Sequence, residues 1–99
     1  MSHPAGIRLS RLARDDLVDI WVYVAASNPR AADSVLDRIH DVFLLLAENP
    51  LAGRERTEVG PQLRSFPILS WLIFYRLEAD DVVIARVLHG ARDLDDADY

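Results

Sequence analysis

Residues 68–89 read ILSWLIFYRLEADDVVIARVLH, and this stretch decides the fold because two long apolar runs flank a short acidic segment. Residues 68–77 and 82–89 have the length and the content of β-branched and aromatic residues that are typical of strands. We therefore predict two antiparallel strands joined by a hairpin at residues 78–81. Residues 68–75 are apolar nearly throughout, which predicts a central strand with both faces covered. One face would carry Trp71, Ile73 and Tyr75, and the other Leu72 and Phe74.

Upstream of this hairpin, residues 63–66 form a further strand-like run that follows a loop. The loop, residues 50–61, contains two Pro, two Gly and four charged residues. This composition predicts an exposed segment that carries function more often than packing.

Two amphipathic helices are predicted before the loop. Ser10 is a suitable N-cap for the first helix, and Asn28 followed by Pro29 begins the second, which ends near residues 49–50. The tight connection at residues 27–29 predicts an antiparallel helical hairpin. Apolar residues at three- and four-residue spacing predict the buried stripes, which are Ala13, Leu17, Ile20, Trp21 and Val24 in the first helix and Ala32, Val35, Leu36, Ile39, Phe43 and Leu46 in the second.

Residues 7–9 form a short strand that we expect to return to a sheet edge. The order β-α-α-β-β-β predicts an α+β fold in which the helical hairpin packs on a mostly antiparallel β-sheet. We interpret residues 1–99 as one domain, with a flexible start at residues 1–6 and an acidic tail at residues 94–99.

The composition limits the possible functions. The chain has 99 residues, no Cys and a formal net charge of −5. The charge opposes broad binding to nucleic acid, and the absence of Cys is compatible with a reducing compartment. No apolar run approaches the roughly 18 residues of a membrane span, and residues 1–6 lack the basic segment followed by an apolar stretch that is typical of a signal peptide. We therefore expect a cytoplasmic protein that does not contact membranes.

Basic residues are concentrated in and after the loop. All eleven basic residues are Arg, and Arg54, Arg56 and Arg64 predict a local basic patch. The three His residues are scattered, and no glycine-rich phosphate loop is present, so neither a metal nor a cofactor is expected.

Several motifs occur in a characteristic order along the chain: Glu48-Asn49-Pro50 before Gly53, then Leu63-Arg64-Ser65, then the segment LIFYR at residues 72–76 and VLHGARD at residues 87–93. With the predicted layout, these motifs resemble the RelE/ParE toxin superfamily over residues 7–93, and the last one is most similar to the ParE branch. The resemblance implies the toxin of a type II toxin–antitoxin system.

The superfamily contains two activities, and the fold does not choose between them. ParE-like members inhibit DNA gyrase by binding, whereas RelE-like members cut messenger RNA on the ribosome. The RelE-like branch usually carries a Lys in the strand leading to Leu63-Arg64 and an Arg before the strand that starts here at Leu72. This chain has no Lys at residues 58–62 and has Trp71 before Leu72. Because a neutral indole N–H cannot replace a guanidinium on phosphate, we favour the ParE-like function, without catalysis.

The alternative is a ribosome-dependent messenger-RNA endonuclease that uses His89 with Arg64 and Arg86. His89 occupies the position of a catalytic His in some nuclease members, but it equally suits a residue that packs at a strand end. Arg64 suits either a functional contact or a sheet residue. Arg86 shares the alternating pattern of Val82, Ile84 and Leu88, so we expect it to be partly buried, structural and paired with an acid.

The resemblance also implies the partners. A ParD-like antitoxin with a ribbon-helix-helix DNA-binding part would form a hetero-oligomer with the toxin, and the toxin would meet DNA only through it. An amphipathic helix or an added strand of the antitoxin would cover an apolar groove, for which Val18, Val42 and Leu45 are the candidates. The candidates for target contact are Arg54, Arg56, Arg64 and Arg92. A non-toxic member that is kept for regulation is a third possibility.

Overall fold

Residues 6–90 are the part of the chain that the computed structural model describes, and they form a five-stranded sheet with two helices on one face. The order is β1 (Ile7–Leu9), α1 (Arg11–Ala25), α2 (Pro29–Glu48), β2 (Arg54–Glu55), β3 (Arg64–Ile68), β4 (Trp71–Glu78) and β5 (Asp81–His89). The predicted α+β class and order are confirmed. Strand β2, which is only two residues long, lies inside the segment predicted as loop.

The helix boundaries follow the predicted caps. The Ser10 hydroxyl accepts a hydrogen bond from the Ala13 N–H at 3.0 Å, and the Asn28 side chain accepts from Arg30 and Ala31 at the start of α2. Pro29 stands in the first turn of α2, where its missing N–H has no helical partner to lose. The short connection between the caps therefore reverses the chain and places the two helices side by side.

The strands have the spatial order β1-β5-β4-β3-β2. Strand β1 pairs with β5 in parallel, and the other neighbouring pairs are antiparallel. This confirms the edge position of β1 and the central position of β4. The predicted hairpin between β4 and β5 is present, with Glu78 opposite Asp81.

The alternating side chains of β4 serve two apolar clusters, as the sequence predicts. Trp71, Ile73 and Tyr75 pack with the helices in the main core, and Phe74 belongs to a second cluster on the opposite face of the sheet. The helices contribute most of the remaining main-core side chains, including Leu17, Ile20, Ile39, Phe43 and Leu46.

Most of the predicted loop at residues 50–61 is exposed, as expected, and the segment just before β3 also covers part of the second face of the sheet. Leu63 is buried in the second cluster with Ala85 and Leu88, and Val59 is partly buried against it. Because neither helix of residues 6–90 packs on this face, the segment before β3 supplies apolar cover there.

The boundary between β3 and β4 was predicted incorrectly. Ile68 belongs to β3 and pairs with Trp71, so Leu69 and Ser70 form a tight turn inside what the sequence indicated was one strand. Leu69 has a φ of 54°, a left-handed conformation that is unusual for a residue other than Gly or Asn. Composition gives no signal for such a turn.

The predicted face of Arg86 was also wrong. The pairing of β4 with β5 shifts between Phe74 and Tyr75, because Ala85 is an extra residue on β5. The bulge breaks the alternation, so Ile84 lies in the main core and Leu88 in the second cluster. No single face carries Ile84, Arg86 and Leu88.

Within residues 6–90, neither helix is long and apolar enough to cross a membrane.

Candidate partner-binding surface

An open apolar groove runs between the two helices on the side of the molecule next to β1. Its volume is about 520 Å³. The residues that line it are Leu9 from β1, Arg14, Leu17, Val18 and Trp21 from α1, and Leu36 and His40 from α2. We call this surface the helix groove. Val18, a predicted antitoxin contact, lies in it with 62% of its surface exposed.

Trp21 is a wall of the helix groove, and its predicted place in the core was wrong. It is 38% exposed, and its indole N–H donates to a carboxylate oxygen of Asp33 on α2 at 2.9 Å. The helical spacing groups Trp21 with Leu17 and Ile20, which are buried. It could not show that the sheet covers those two side chains and leaves Trp21 partly uncovered. An exposed indole with its polar atom fixed offers a rigid apolar surface, which is typical of binding sites.

A second apolar groove lies on the other side of the helices, between the end of α2 and β3. It is lined by Leu45, Asn49, Pro50, Leu51, Ala52 and Phe66. We call it the α2–β3 groove. The helix groove and the α2–β3 groove share no lining residue.

The three predicted antitoxin contacts therefore do not form one surface. Leu45 is 42% exposed in the α2–β3 groove, on the opposite side from Val18. Val42 lines neither groove and packs, partly buried, against the main core. Helical spacing identifies apolar residues that lie beside the buried stripe of a helix. It does not show on which side of the helical hairpin each of these residues is exposed.

The predicted basic patch is present, but two of its three Arg side chains hold the loop together. Arg56 donates from Nε to the buried Ser65 hydroxyl at 2.8 Å and pairs with Glu58. Arg64 donates to the Gly53 carbonyl oxygen at 2.8 Å and pairs with Glu55. Both are four-fifths buried at the side chain.

Arg54 is the member of the patch that faces solvent. It is exposed at the start of β2 and makes no ion pair with another residue of the described range 6–90. The pKa of the nearby Glu58 lies below its usual range, mainly because of a hydrogen bond to its own backbone, with Arg56 and Arg54 adding to the effect. Arg54 is thus the cation of this loop that is available to a partner carboxylate.

The Tyr75 hydroxyl is the centre of a buried hydrogen-bond cluster that the sequence did not reveal. It donates to the Pro50 carbonyl oxygen at 2.8 Å and accepts from the Gly53 N–H at 2.7 Å. Burial raises the pKa of Tyr75, while the Gly53 N–H and Arg64 oppose the rise. Together, Tyr75 and Arg64 fix the segment that joins α2 to β2. The motif LIFYR held the signal, since a Tyr in a fully apolar strand requires a partner for its hydroxyl.

Arg86 is engaged in a buried ion pair, as predicted. Its Nε and Nη2 donate to the two carboxylate oxygens of Asp16 on α1, at 2.8 and 2.9 Å. Asp16 also accepts from the Val87 N–H at 2.9 Å. Strand β1 pairs with β5 only as far as Ile84. The Asp16 carboxylate therefore accepts the Val87 N–H on a part of the β5 edge that β1 does not reach.

The three residues of the nuclease hypothesis do not converge. His89 pairs across β4 with Trp71, and their rings meet edge to face with centroids 5.9 Å apart. Arg64 lies two strands away and four residues further along, which is about 14 Å in the strand direction. Arg86 binds Asp16 through Nε and Nη2, and the Arg64 guanidinium binds the loop.

Arg92, the remaining predicted target contact, and the predicted tail at residues 94–99 lie outside the described residues, as do residues 1–5 of the predicted flexible start. Among residues 6–90, no cluster of three His, Asp or Glu residues is arranged to hold a metal ion.

Comparison with known proteins identifies close relatives. The sequence model of the family described as "ParE toxin of type II toxin-antitoxin system, parDE" matches residues 7–94. Toxin ParE3 of Caulobacter vibrioides is 37% identical over 93 residues, covering 94% of this chain and 86% of that protein. Toxin RelE3 of the same organism is 32% identical over 85 residues, covering 85% of this chain and 92% of that protein.

Two solved structures share the fold. One, of the chromosomal ParDE toxin–antitoxin system from P. aeruginosa, superposes with a TM-score of 0.71 at 24% identity, covering 89% of this chain and 98% of the other. The other, the toxin–antitoxin complex RelBE2 from Mycobacterium tuberculosis, has a TM-score of 0.61 at 26% identity, covering 88% of this chain and 99% of the other.

Proposed function

Because this chain belongs to the ParE toxin family of type II toxin–antitoxin systems, we propose that it inhibits DNA gyrase by binding and that a cognate antitoxin neutralises it. The observation that carries the proposal is the family match over residues 7–94. The toxin would act in the cytoplasm, where gyrase and its DNA substrate are present.

The geometry around His89 supports a binding mechanism over catalysis. Cleavage of RNA requires cationic groups within hydrogen-bond distance of the developing phosphate charge and a general acid or base beside the same phosphate. Arg64 and Arg86 are both committed to other partners, and Arg64 lies about 14 Å from His89 along the strands. The nuclease alternative is still worth testing because Toxin RelE3 is also a relative.

The two grooves support neutralisation by a partner that binds mainly through helices. The backbone N–H and C=O groups of Leu63 and Ser65 point toward β2, on the outer side of β3. Because the direction of these groups repeats every two residues along a strand, the backbone of Pro67 faces the same side. Pro67 has no N–H to donate to an added strand, and the opposite edge strand, β1, is only three residues long. An amphipathic helix requires no such donors and would cover the exposed Val18 and Trp21.

The loop that carries Arg54 is our proposed contact with the target. Arg56, Arg64 and Tyr75 fix the backbone around it, so Arg54 is presented from a rigid segment. A rigid surface loses little conformational entropy on binding, which favours tight association.

A supercoiling assay with purified gyrase and relaxed plasmid tests the proposal. Folded protein is expected to reduce supercoiling or to accumulate cleaved plasmid, and an equimolar antitoxin is expected to reverse the effect. Arg54→Gln should weaken inhibition severalfold, whereas Arg38→Gln, an exposed change on α2, should not. Full gyrase activity at micromolar toxin, together with cleavage of messenger RNA on ribosomes, would replace the proposal with the nuclease alternative.

A further inference from the structure

The two ends of the helix groove differ in charge. At the end near the helix connection, Asp33 accepts the Trp21 N–H. Arg14 lies seven residues before Trp21 on α1, and His40 lies seven residues after Asp33 on α2. In antiparallel helices, both are displaced by about 10 Å in the same direction, so Arg14 and His40 flank the far end of the groove together. The apolar lining of Leu9, Leu17 and Leu36 lies between these ends.

Arg14 has no competing acid on its own helix face. The residues three and four positions away on each side are Ser10, Arg11, Leu17 and Val18, none of which is acidic. The Arg14 side chain is exposed, and its guanidinium makes no ion pair or hydrogen bond with any other residue from 6 to 90. The other charged groups of the helices nearest the groove are Arg11, one turn before Arg14, Asp33, which binds Trp21, and Asp37, which stands one turn before His40.

We propose that Arg14 determines which antitoxin helix the groove accepts, by selecting an amphipathic helix that carries a carboxylate at the Arg14 end of its apolar stripe. This inference rests on the proposed function, because it assumes that the groove receives the antitoxin. The apolar lining would supply affinity, which many helices could share. The free guanidinium discriminates between them, since it attracts an acid at this position and repels a base. The overall charge of −5 opposes acidic partners in general, so the discrimination is local.

Three synthetic helical peptides test this specificity. They share one stripe of Leu and Ile and an outer face of Ala and Gln, they are stapled so that they remain helical, and they differ only in carrying Glu, Gln or Lys at the edge of one terminal turn. Binding is followed in low salt by the fluorescence of Trp21, which is half of the Trp content and lies in the groove. Trp21→Phe identifies the signal that comes from the groove.

The Glu peptide is expected to bind about fivefold more tightly than the Lys peptide, with the Gln peptide between them. Arg14→Gln should bring this ratio close to one, and Arg38→Gln, a matched loss of charge outside the groove, should leave it unchanged. Equal affinities for the Glu and Lys peptides, a ratio that persists in Arg14→Gln, or no binding of any peptide would each overturn the inference. Inhibition of gyrase is measured before any antitoxin is added and involves none of these peptides, so the two proposals fail separately.

Discussion

At the scale of single residues, the stability of the fold depends strongly on the Asp16 side chain. It satisfies both the Arg86 guanidinium and the Val87 N–H, and it is itself buried. Removing one member of a buried pair leaves the other charge without compensation, which costs about 3 kcal/mol or more. We expect Asp16→Ala to lower the free energy of unfolding by about 3 kcal/mol in urea titrations. Asp15→Ala, the same change at an exposed neighbour, should have an effect within about 0.5 kcal/mol. Equal losses from the two variants would contradict this role of the pair.

Tyr75 makes stability depend on pH in the alkaline range. Its pKa is raised by burial, so the folded protein retains the phenol proton at a pH where the unfolded chain has lost it. The stabilising contribution is complete below the unfolded pKa, which is about 10, and it is lost as pH rises toward the folded pKa. We expect wild-type unfolding free energy to fall from about pH 10 upward.

Tyr75→Phe should remove this alkaline component and cost about 1–3 kcal/mol at neutral pH, because the Gly53 N–H and the Pro50 carbonyl lose their partner. Tyr23→Phe is the matched control, since Tyr23 is more than half exposed. An identical pH profile for wild type and Tyr75→Phe would show that another group causes the loss.

The sequence predicted part of this residue-level structure. An acidic partner for Arg86 was expected from its burial in an apolar strand, but the identity of Asp16 was not, because 70 residues separate the two. The failure of the three nuclease candidates to converge was also beyond the sequence. Strand pairing decides whether Arg64 and His89 are neighbours, and residue order does not give the register.

At the scale of elements, the helices and the β4–β5 hairpin were predicted well, whereas the turn between β3 and β4 was not. Ser10, Asn28 and Pro29 act within one turn of chain, so their effect on α1 and α2 is readable from the sequence. The turn at Leu69–Ser70 contains neither Gly nor Pro, and the sheet pairing on both sides imposes its positive φ. Likewise, β2 is too short for its alternation to be recognised.

The segment between α2 and β2 depends on the absence of a side chain at Gly53. A Cβ at this position would lie 2.5 Å from Cε1 and 2.8 Å from Cζ of Tyr75, far inside van der Waals contact. The Tyr75 ring is buried in the core and cannot move away, so the loop would have to shift. We expect Gly53→Ala to destabilise the protein by about 1–3 kcal/mol and to weaken gyrase inhibition, since it displaces the neighbouring Arg54.

Gly60→Ala is the control for the same loop. A Cβ at Gly60 would meet Leu63 at 3.8 Å, which is an ordinary contact. We expect its melting temperature and its activity to match wild type. If Gly60→Ala lowers stability and activity as much as Gly53→Ala does, the effect comes from a general stiffening of the loop. The proposed clash with Tyr75 would then be wrong.

At the scale of the whole molecule, the helices and the loop before β3 cover different faces of the sheet. The helices cover one face of the sheet and leave apolar grooves along both flanks, while the loop before β3 covers the other face and presents Arg54. The proposed antitoxin surface and the proposed target surface are therefore formed by different elements. An antitoxin in the helix groove could neutralise the toxin by extending toward the Arg54 loop and occluding it, without refolding the toxin.

The division of the superfamily into gyrase inhibitors and nucleases leads to one decisive prediction for His89. In a binding toxin, His89 packs against Trp71 at the end of the sheet and has no proton to transfer, so His89→Gln should remain folded and toxic and should inhibit gyrase as wild type does. In a ribosome-dependent nuclease, loss of the proton-transfer group should lower the rate of cleavage roughly a hundredfold or more. Growth arrest on induction, supercoiling and messenger-RNA integrity are measured for wild type and His89→Gln, and Asp16→Ala serves as a destabilised reference. Toxicity that disappears in His89→Gln, while its unfolding curve matches wild type, would contradict the gyrase proposal, since inhibition by binding requires no proton transfer from His89.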